Sequence, residues 1–167
     1  RLGLTATLIR EDGREKDVFS LIGPKKYEAP SKELERQGWI AKANCTEIRV
    51  EMTEHERKRY AVAEARARFR IAAEAQRKME VVRKLMERHR DDRVLIIGQY
   101  LDQLRTLAAA LNLPLITGKT QNAEREKLYQ AFRSGEIRAL VVSKVANFAI
   151  DLPDANVAVQ VSGQFGS

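Results

Sequence analysis

Between residues 94 and 161, short apolar runs alternate with amphipathic stretches of ten or so residues. The runs Val94 to Gly98, Leu115 to Gly118, Arg138 to Ser143 and Asn156 to Val161 predict strands, and Leu101 to Leu111 and Ala123 to Arg133 predict helices between them. Strands separated by helices of this length are joined by right-handed crossovers, so the expected architecture is a three-layer α/β domain with a parallel sheet. Asn122 is placed to cap the second crossover helix and Gly135 to close it.

The pattern changes upstream. From Thr53 to Arg93 there is neither glycine nor proline, and alanine, arginine and glutamate dominate, which predicts helix. On a 3.6-residue wheel, Arg59, Arg66, Arg70, Arg77, Lys84 and Arg88 fall within about 40° of one another, opposite Ile71, Ala75, Met79, Val82 and Met86. A single helix of this length would be unusual in a globular domain. Glu64 falls on the apolar face, so a break is expected between Glu64 and Ile71.

In the segment 43–52, Ile48, Val50 and Met52 alternate with charged residues, as in a strand with one solvated face. Ser31 is a natural N-cap for a short helix that stops at Gly38, and Val18, Phe19, Leu21 and Ile22 precede a Gly23-Pro24 break. Residues 1–7 read as a strand end, so the chain is expected to begin mid-fold, with residues 1–40 the remnant of one domain and its linker. Apolar surface left exposed there would drive self-association.

Composition narrows the classes. The chain has 167 residues, 44% hydrophobic and 32% charged, which suits one full domain or parts of two and excludes wholesale disorder. No apolar run reaches the ~20 residues of a membrane span and no signal peptide opens the sequence, so a soluble protein of the cytoplasm or nucleus, with no membrane partner, is expected. Cys45 is the only cysteine, and His55 and His89 are the only histidines, which leaves no internal disulfide and no expected metal site. Thirty basic against 23 acidic residues give a net charge of +7, which favours a polyanionic partner.

Strand ends supply the candidate chemistry. In an open α/β sheet, ligands bind outside the carboxyl ends of the strands. Those ends carry Gln99, then Gly118-Lys119-Thr120, then Ser143-Lys144, followed by Asn147 and Asp151. Hydroxyl, ammonium and carboxylate groups together suit a phosphate-rich or sugar-bearing ligand. The same residues also fit an ordinary surface loop, and the basic helical face also fits a solvated one.

In this order, the loops resemble the second RecA-like domain of a superfamily 2 helicase, and in wording the XPB-type DNA repair and transcription helicases. LGLTAT (residues 2–7) resembles motif III, and Arg10-Glu11-Asp12 the RED element. LIIGQY (95–100) resembles motif IV, ITGKT (116–120) with Arg125 behind it motif IVa, and SKVANFAIDLP (143–153) motif V. Residues 54–77 fall where these proteins carry a helical thumb.

The resemblance implies a role for each. Thr5, Ala6 and Thr7 would couple the ATP state to the DNA grip. Arg10, Glu11 and Asp12 would engage DNA at the fork. Thr120, Arg125, Ser143 and Lys144, with Arg66, Arg70 and Arg77 of the thumb-like stretch, would bind DNA, and Asp151 and Gln99 would serve the nucleotide. Residues 1–40 would be the tail of motor domain 1 and its linker, and residues 41–167 motor domain 2.

No G-x-x-x-x-G-K-[ST] loop and no acidic metal-binding quartet are present, and the chain stops before an arginine-bearing motif VI. Ala146 stands where many relatives have glycine. The expectation is therefore a piece of an ATP-dependent DNA helicase that binds DNA but does not hydrolyse ATP. ATP with magnesium would be used only by the intact protein, alongside a missing N-terminal motor domain and other repair or transcription proteins. Two other classes fit the residues: a non-catalytic nucleic-acid-binding α/β module, and a doubly wound domain that binds a small nucleotide or sugar phosphate.

Overall fold

In a computed structural model, which describes residues 15–39, 41–143 and 155–163, the four apolar runs pair as parallel strands. These are β1 (Val94–Gly98), β2 (Leu115–Ile116), β3 (Ala139–Ser143) and β4 (Val157–Gln160), in the sheet order β2-β3-β1-β4. The central pair is in register from Val94 opposite Ala139 to Gly98 opposite Ser143. On the other side of β1, Val94 faces Val157.

Alternation along the strands divides the core between two faces. Val94, Ile96, Ala139 and Val141 pack with α5 (Arg77–Arg88) through Val82 and with α6 (Leu101–Leu111) through Leu104, Leu107 and Ala108. Leu95, Leu140 and Val142 pack with Ile116 of β2 and with Tyr129 and Phe132 of α7 (Asn122–Ser134). Helices on both faces of a parallel sheet make the expected three-layer α/β fold. β4 is half-covered: Val157 and Val159 pack on the α5/α6 side, while Ala158 and Gln160 are exposed.

The 53–93 region is helical in three pieces, α3 (Glu54–Val62), α4 (Ala65–Ala73) and α5. The first break falls at Ala63 and Glu64, whose ψ angles of 151° and 159° are extended. It lies at the edge of the segment where Glu64 predicts it. A second break at residues 74–76 has no sequence signal and is held by tertiary hydrogen bonds described below.

Three local expectations are corrected. Residues 41–53 form no strand: Ile48 is exposed, and among the described residues no neighbouring strand pairs with this segment. Pro30, not Ser31, is the N-cap of α2 (Ser31–Arg36), because its extended backbone directs its carbonyl at the amides of Glu33 and Leu34. Gln121, not Asn122, caps α7, and Asn122 is its first helical residue. Gly135 does close α7, with φ of 81°.

The chain divides into two compact units between Arg49 and Val50. In the first, α1 (Glu15–Ile22) and α2 leave Leu21 and Ile22 exposed, and Tyr27 and Trp39 as well.

Candidate nucleic-acid interface

Because the four strands are parallel, their carboxyl ends share one edge of the sheet. At the end of β1, Gly98 leaves no room for a side chain. A Cβ there would lie 2.8 Å from Leu104 Cδ2, 2.9 Å from Val161 Cγ2 and 3.0 Å from Ser162 Oγ. The next amide, Gln99 N–H, donates to Ser162 Oγ at 2.8 Å, so the loop after β1 is pinned to the end of β4. The Gln99 side chain remains exposed.

After β2 the chain makes a tight turn stapled by its own threonines. Thr117 N–H donates to Thr120 Oγ1 at 2.9 Å, and Lys119 N–H donates to Thr117 Oγ1 at 3.2 Å. Arg125, one turn into α7, donates from Nη2 to the carbonyls of Thr117 (3.3 Å) and Thr120 (3.2 Å). Its Nε is buried and unpartnered. Burial pushes the nearby Tyr129 phenol up, against the lowering pull of the Arg125 charge. Arg125 thus builds the loop and brings a positive charge to it, while Lys119 stands exposed at its tip.

At the end of β3, Ser143 is buried, and its Oγ has no hydrogen-bond partner among the described residues. A buried hydroxyl without a partner carries a desolvation cost, so it is a position where a ligand oxygen would be favoured. Lys144 and Asp151 lie outside the described residues, as do Thr5, Ala6, Thr7, Arg10, Glu11 and Asp12.

Arg66, Arg70 and Arg77 do not form one free basic face: the break at residues 74–76 separates Arg77 on α5 from Arg66 and Arg70 on α4, and two of the three are ion-paired. Arg70 is committed to Glu74 (2.9 Å) and to Asp102 of α6 (2.8 Å). Arg77 pairs with Glu51 at 3.3 Å. Arg66 is exposed on α4 and makes no ion pair among the described residues.

Three polar residues at this edge escape a reading of the sequence. Val161 O accepts from Lys78 Nζ of α5 at 2.8 Å and from Gln103 Nε2 of α6 at 3.5 Å. Gln103 Nε2 also donates to Ala73 O at the end of α4. With Ser162, these residues join the helical stretch, α6 and β4. Lys78 carries a usable signal: it lies within one turn of Ala75 and Val82, both on the apolar face. Among the described residues, no group of three or more His, Cys, Asp or Glu is placed to hold a metal ion.

Comparison with known proteins identifies the family. The family model for the ERCC3/RAD25/XPB C-terminal helicase matches residues 34–167. The chain belongs to that family. The DNA 3'-5' helicase XPB of Mycobacterium tuberculosis is 62% identical over 167 residues, covering 100% of this chain and 30% of that protein. The general transcription and DNA repair factor IIH helicase/translocase subunit XPB of Danio rerio is 36% identical over 170 residues, covering 100% of this chain and 22% of that protein. The chain therefore spans less than a third of these relatives.

Among solved structures, the SWI2/SNF2 ATPase C-terminal domain of Sulfolobus solfataricus aligns with a TM-score of 0.55 at 18% identity, over 69% of this chain and 70% of that one. The Sulfolobus solfataricus SWI2/SNF2 ATPase core in complex with dsDNA aligns with a TM-score of 0.50 at 17% identity, over 66% and 33%. These two likenesses establish the fold, a RecA-like parallel sheet with flanking helices.

Proposed function

We propose that this chain supplies the second motor domain of an ATP-dependent DNA helicase or translocase that unwinds or remodels duplex DNA in repair or transcription. One observation carries the reading. In a member of the XPB helicase family, the polar ends of parallel strands converge on one edge, where they present Gln99, the Thr117 to Thr120 turn with Arg125, and the buried Ser143 hydroxyl, which has no partner among the described residues.

In this reading, residues 1–40 are the tail of motor domain 1, with motif III and the RED element, and residues 41–167 are motor domain 2, with a thumb-like stretch at 54–77. Thr120, Ser143 and Lys144 hold backbone phosphates of the tracked strand, contacts that carry no base information. Arg125 keeps the turn in shape. Arg66 adds charge from the helical stretch, while Arg70 and Arg77 reach DNA only by exchanging their present carboxylate partners. A fold neighbour solved with dsDNA supports DNA as the partner.

Asp151 and Gln99 serve the nucleotide side. The backbone amide of Gln99 is already spent on Ser162, so what it offers a nucleotide is its carboxamide, a donor and acceptor pair suited to a base edge. The sequence carries neither a G-x-x-x-x-G-K-[ST] loop nor an acidic metal-binding quartet. ATP phosphates and magnesium would thus be held on the other motor domain, and no hydrolytic step falls to the described residues. No described helix is long and apolar enough to cross a membrane, and the proposed work places the protein in the cytoplasm or nucleus.

Titration of the chain with duplex and single-stranded oligonucleotides at several salt concentrations tests this. The expected result is binding to every sequence about equally, a steep salt dependence, and a weaker, flatter dependence in Lys144→Ala and Arg66→Ala. Absence of binding to any DNA at low salt would reject it.

A further inference from the structure

The α3–α4 corner displays apolar side chains among arginines. Val62, the last residue of α3, is 88% exposed, and Tyr60 is 37% exposed. α3 buries none of its residues, so burial of apolar surface does not hold it. Polar devices hold it instead. Thr53 and Glu56 form a reciprocal capping box, and Glu56 Oε1 accepts Gln76 N–H at 2.8 Å, tying the start of α3 to the start of α5. At the other end, Arg68 of α4 reaches back to the carbonyls of Ala63 (2.8 Å) and Ala61 (3.3 Å), and its guanidinium sits 5.6 Å from the centre of the Tyr60 ring. A helix that buries nothing is thus anchored at both ends, with a stacked aromatic and a bare valine at its tip.

Charge selects the occupant. Residues 54–73 carry six basic side chains (Arg57, Lys58, Arg59, Arg66, Arg68, Arg70) against three acidic ones (Glu54, Glu56, Glu64). Among the described residues, Arg57, Arg59 and Arg66 make no ion pair. A duplex offers such a surface only phosphates and groove edges, because its base faces are stacked on one another. An apolar tip gains nothing from those. Unpaired nucleotides offer both halves of the match, phosphates for the arginines and an open π face for Tyr60.

We propose that the α3–α4 corner binds unpaired DNA bases, with Tyr60 as the stacking platform, Arg68 holding the ring in place and the exposed Val62 as a separate apolar contact. The proposal rests on the DNA-binding reading above and goes beyond it, since that reading calls only for phosphate contacts.

The experiment compares three fluorescein-labelled probes by anisotropy: a 20-mer of thymidylate, a 20-mer of abasic sugar-phosphate with the same charge, and a 20-base-pair duplex. The chain should bind the thymidylate oligomer about tenfold more tightly than the abasic one, in keeping with one well-stacked base. Tyr60→Ala and Val62→Ser should each shrink that ratio, and Tyr60→Phe should retain it. Both should leave duplex affinity and the salt slope unchanged, which also shows that the variants fold. Arg66→Ala should lower affinity for all three probes and flatten the slope. Equal affinity of the wild type for thymidylate and abasic probes, or a uniform loss in Tyr60→Ala, overturns the base-contact proposal alone. Failure to bind any of the three overturns the DNA-binding reading with it.

Discussion

The ammonium group of Lys78 donates a 2.8 Å hydrogen bond to the carbonyl oxygen of Val161, 83 positions further along the chain. This joins α5 to the carboxyl end of β4, where the loops of the sheet edge converge. Burial lowers the Lys78 pKa from its ordinary 10.5, because the charged form is poorly solvated there. The unfolded chain then holds this proton more firmly than the folded one, so stability from this group rises as pH climbs from the lowered value to 10.5. Lys78→Met should cost about 1 kcal/mol at neutral pH through the lost hydrogen bond. The gap to wild type should widen as the solution is made alkaline, as urea denaturation at a series of pH values would show.

Gly98→Ala should be among the most damaging single methyl additions in the domain. The new Cβ meets side chains from α6 and from the end of β4 at once, all at 3.0 Å or less, so relief in one direction closes the gap in another. Overpacking of this kind costs about 1–3 kcal/mol. Thermal unfolding would register it as a drop of several degrees, and a variant as stable as wild type would mean that the edge is softer than its packing implies.

Glu56 predicts an acid-sensitive anchor. Burial raises its carboxyl, but the amides of Gln76 and Thr53, the Thr53 hydroxyl and the Arg77 charge outweigh this and hold it below the ordinary 4.5. The stabilisation is therefore complete above pH 4.5 and is lost as pH falls through the lowered value. Glu56→Gln should destabilise α3 by about 1 kcal/mol near neutrality, and the difference should vanish in acid. Hydrogen exchange of residues 54–62, compared with that of β1, reads this directly.

Arg125→Ala should loosen the turn after β2 without unfolding the sheet. It removes two donors from the carbonyls of Thr117 and Thr120, while Phe132 and Tyr129 continue to seat α7. Amide exchange at residues 117–120 should accelerate about tenfold, and DNA affinity should fall with it.

No turnover of ATP above a matched blank is expected from this chain, with or without DNA. The sequence has no G-x-x-x-x-G-K-[ST] loop to cradle phosphates, and phosphoryl transfer depends on such charge stabilisation. A DNA-stimulated phosphate-release assay on the purified chain decides this.

The limits of β1 and α6 are readable residue for residue, because a charged residue, Arg93, and a glycine bound the strand, and the helix that follows has an uninterrupted apolar stripe. The alternation of Ile48, Val50 and Met52 misleads, since periodicity reports which side chains could share a face, not whether a neighbouring strand exists to pair with. Glu64 announces the first helix break. The second is dictated by Glu56 binding Gln76 N–H and Gln103 binding Ala73 O, contacts across 20 and 30 residues that no local pattern encodes. The strand-end loops were legible because parallel strands must align their ends. The pairings of Gln99 with Ser162 and Lys78 with Val161 were not, because even the place of Lys78 beside the apolar face names no partner 83 positions away.

The extended pair Ala63 and Glu64 sets how force travels through this molecule. Residues 53–93 as one helix would be a rod of roughly 60 Å, and a push at its tip would swing the sheet like an oar. Broken twice, the stretch is instead three short helices whose breaks are themselves tied by hydrogen bonds. What load does arrive is delivered at fixed points, through Glu56 to Gln76 and through Gln103 to Ala73, close to the carbonyl of Val161. A tug on the α3–α4 corner would thus be felt first at the end of β4, with the strands behind it left at rest.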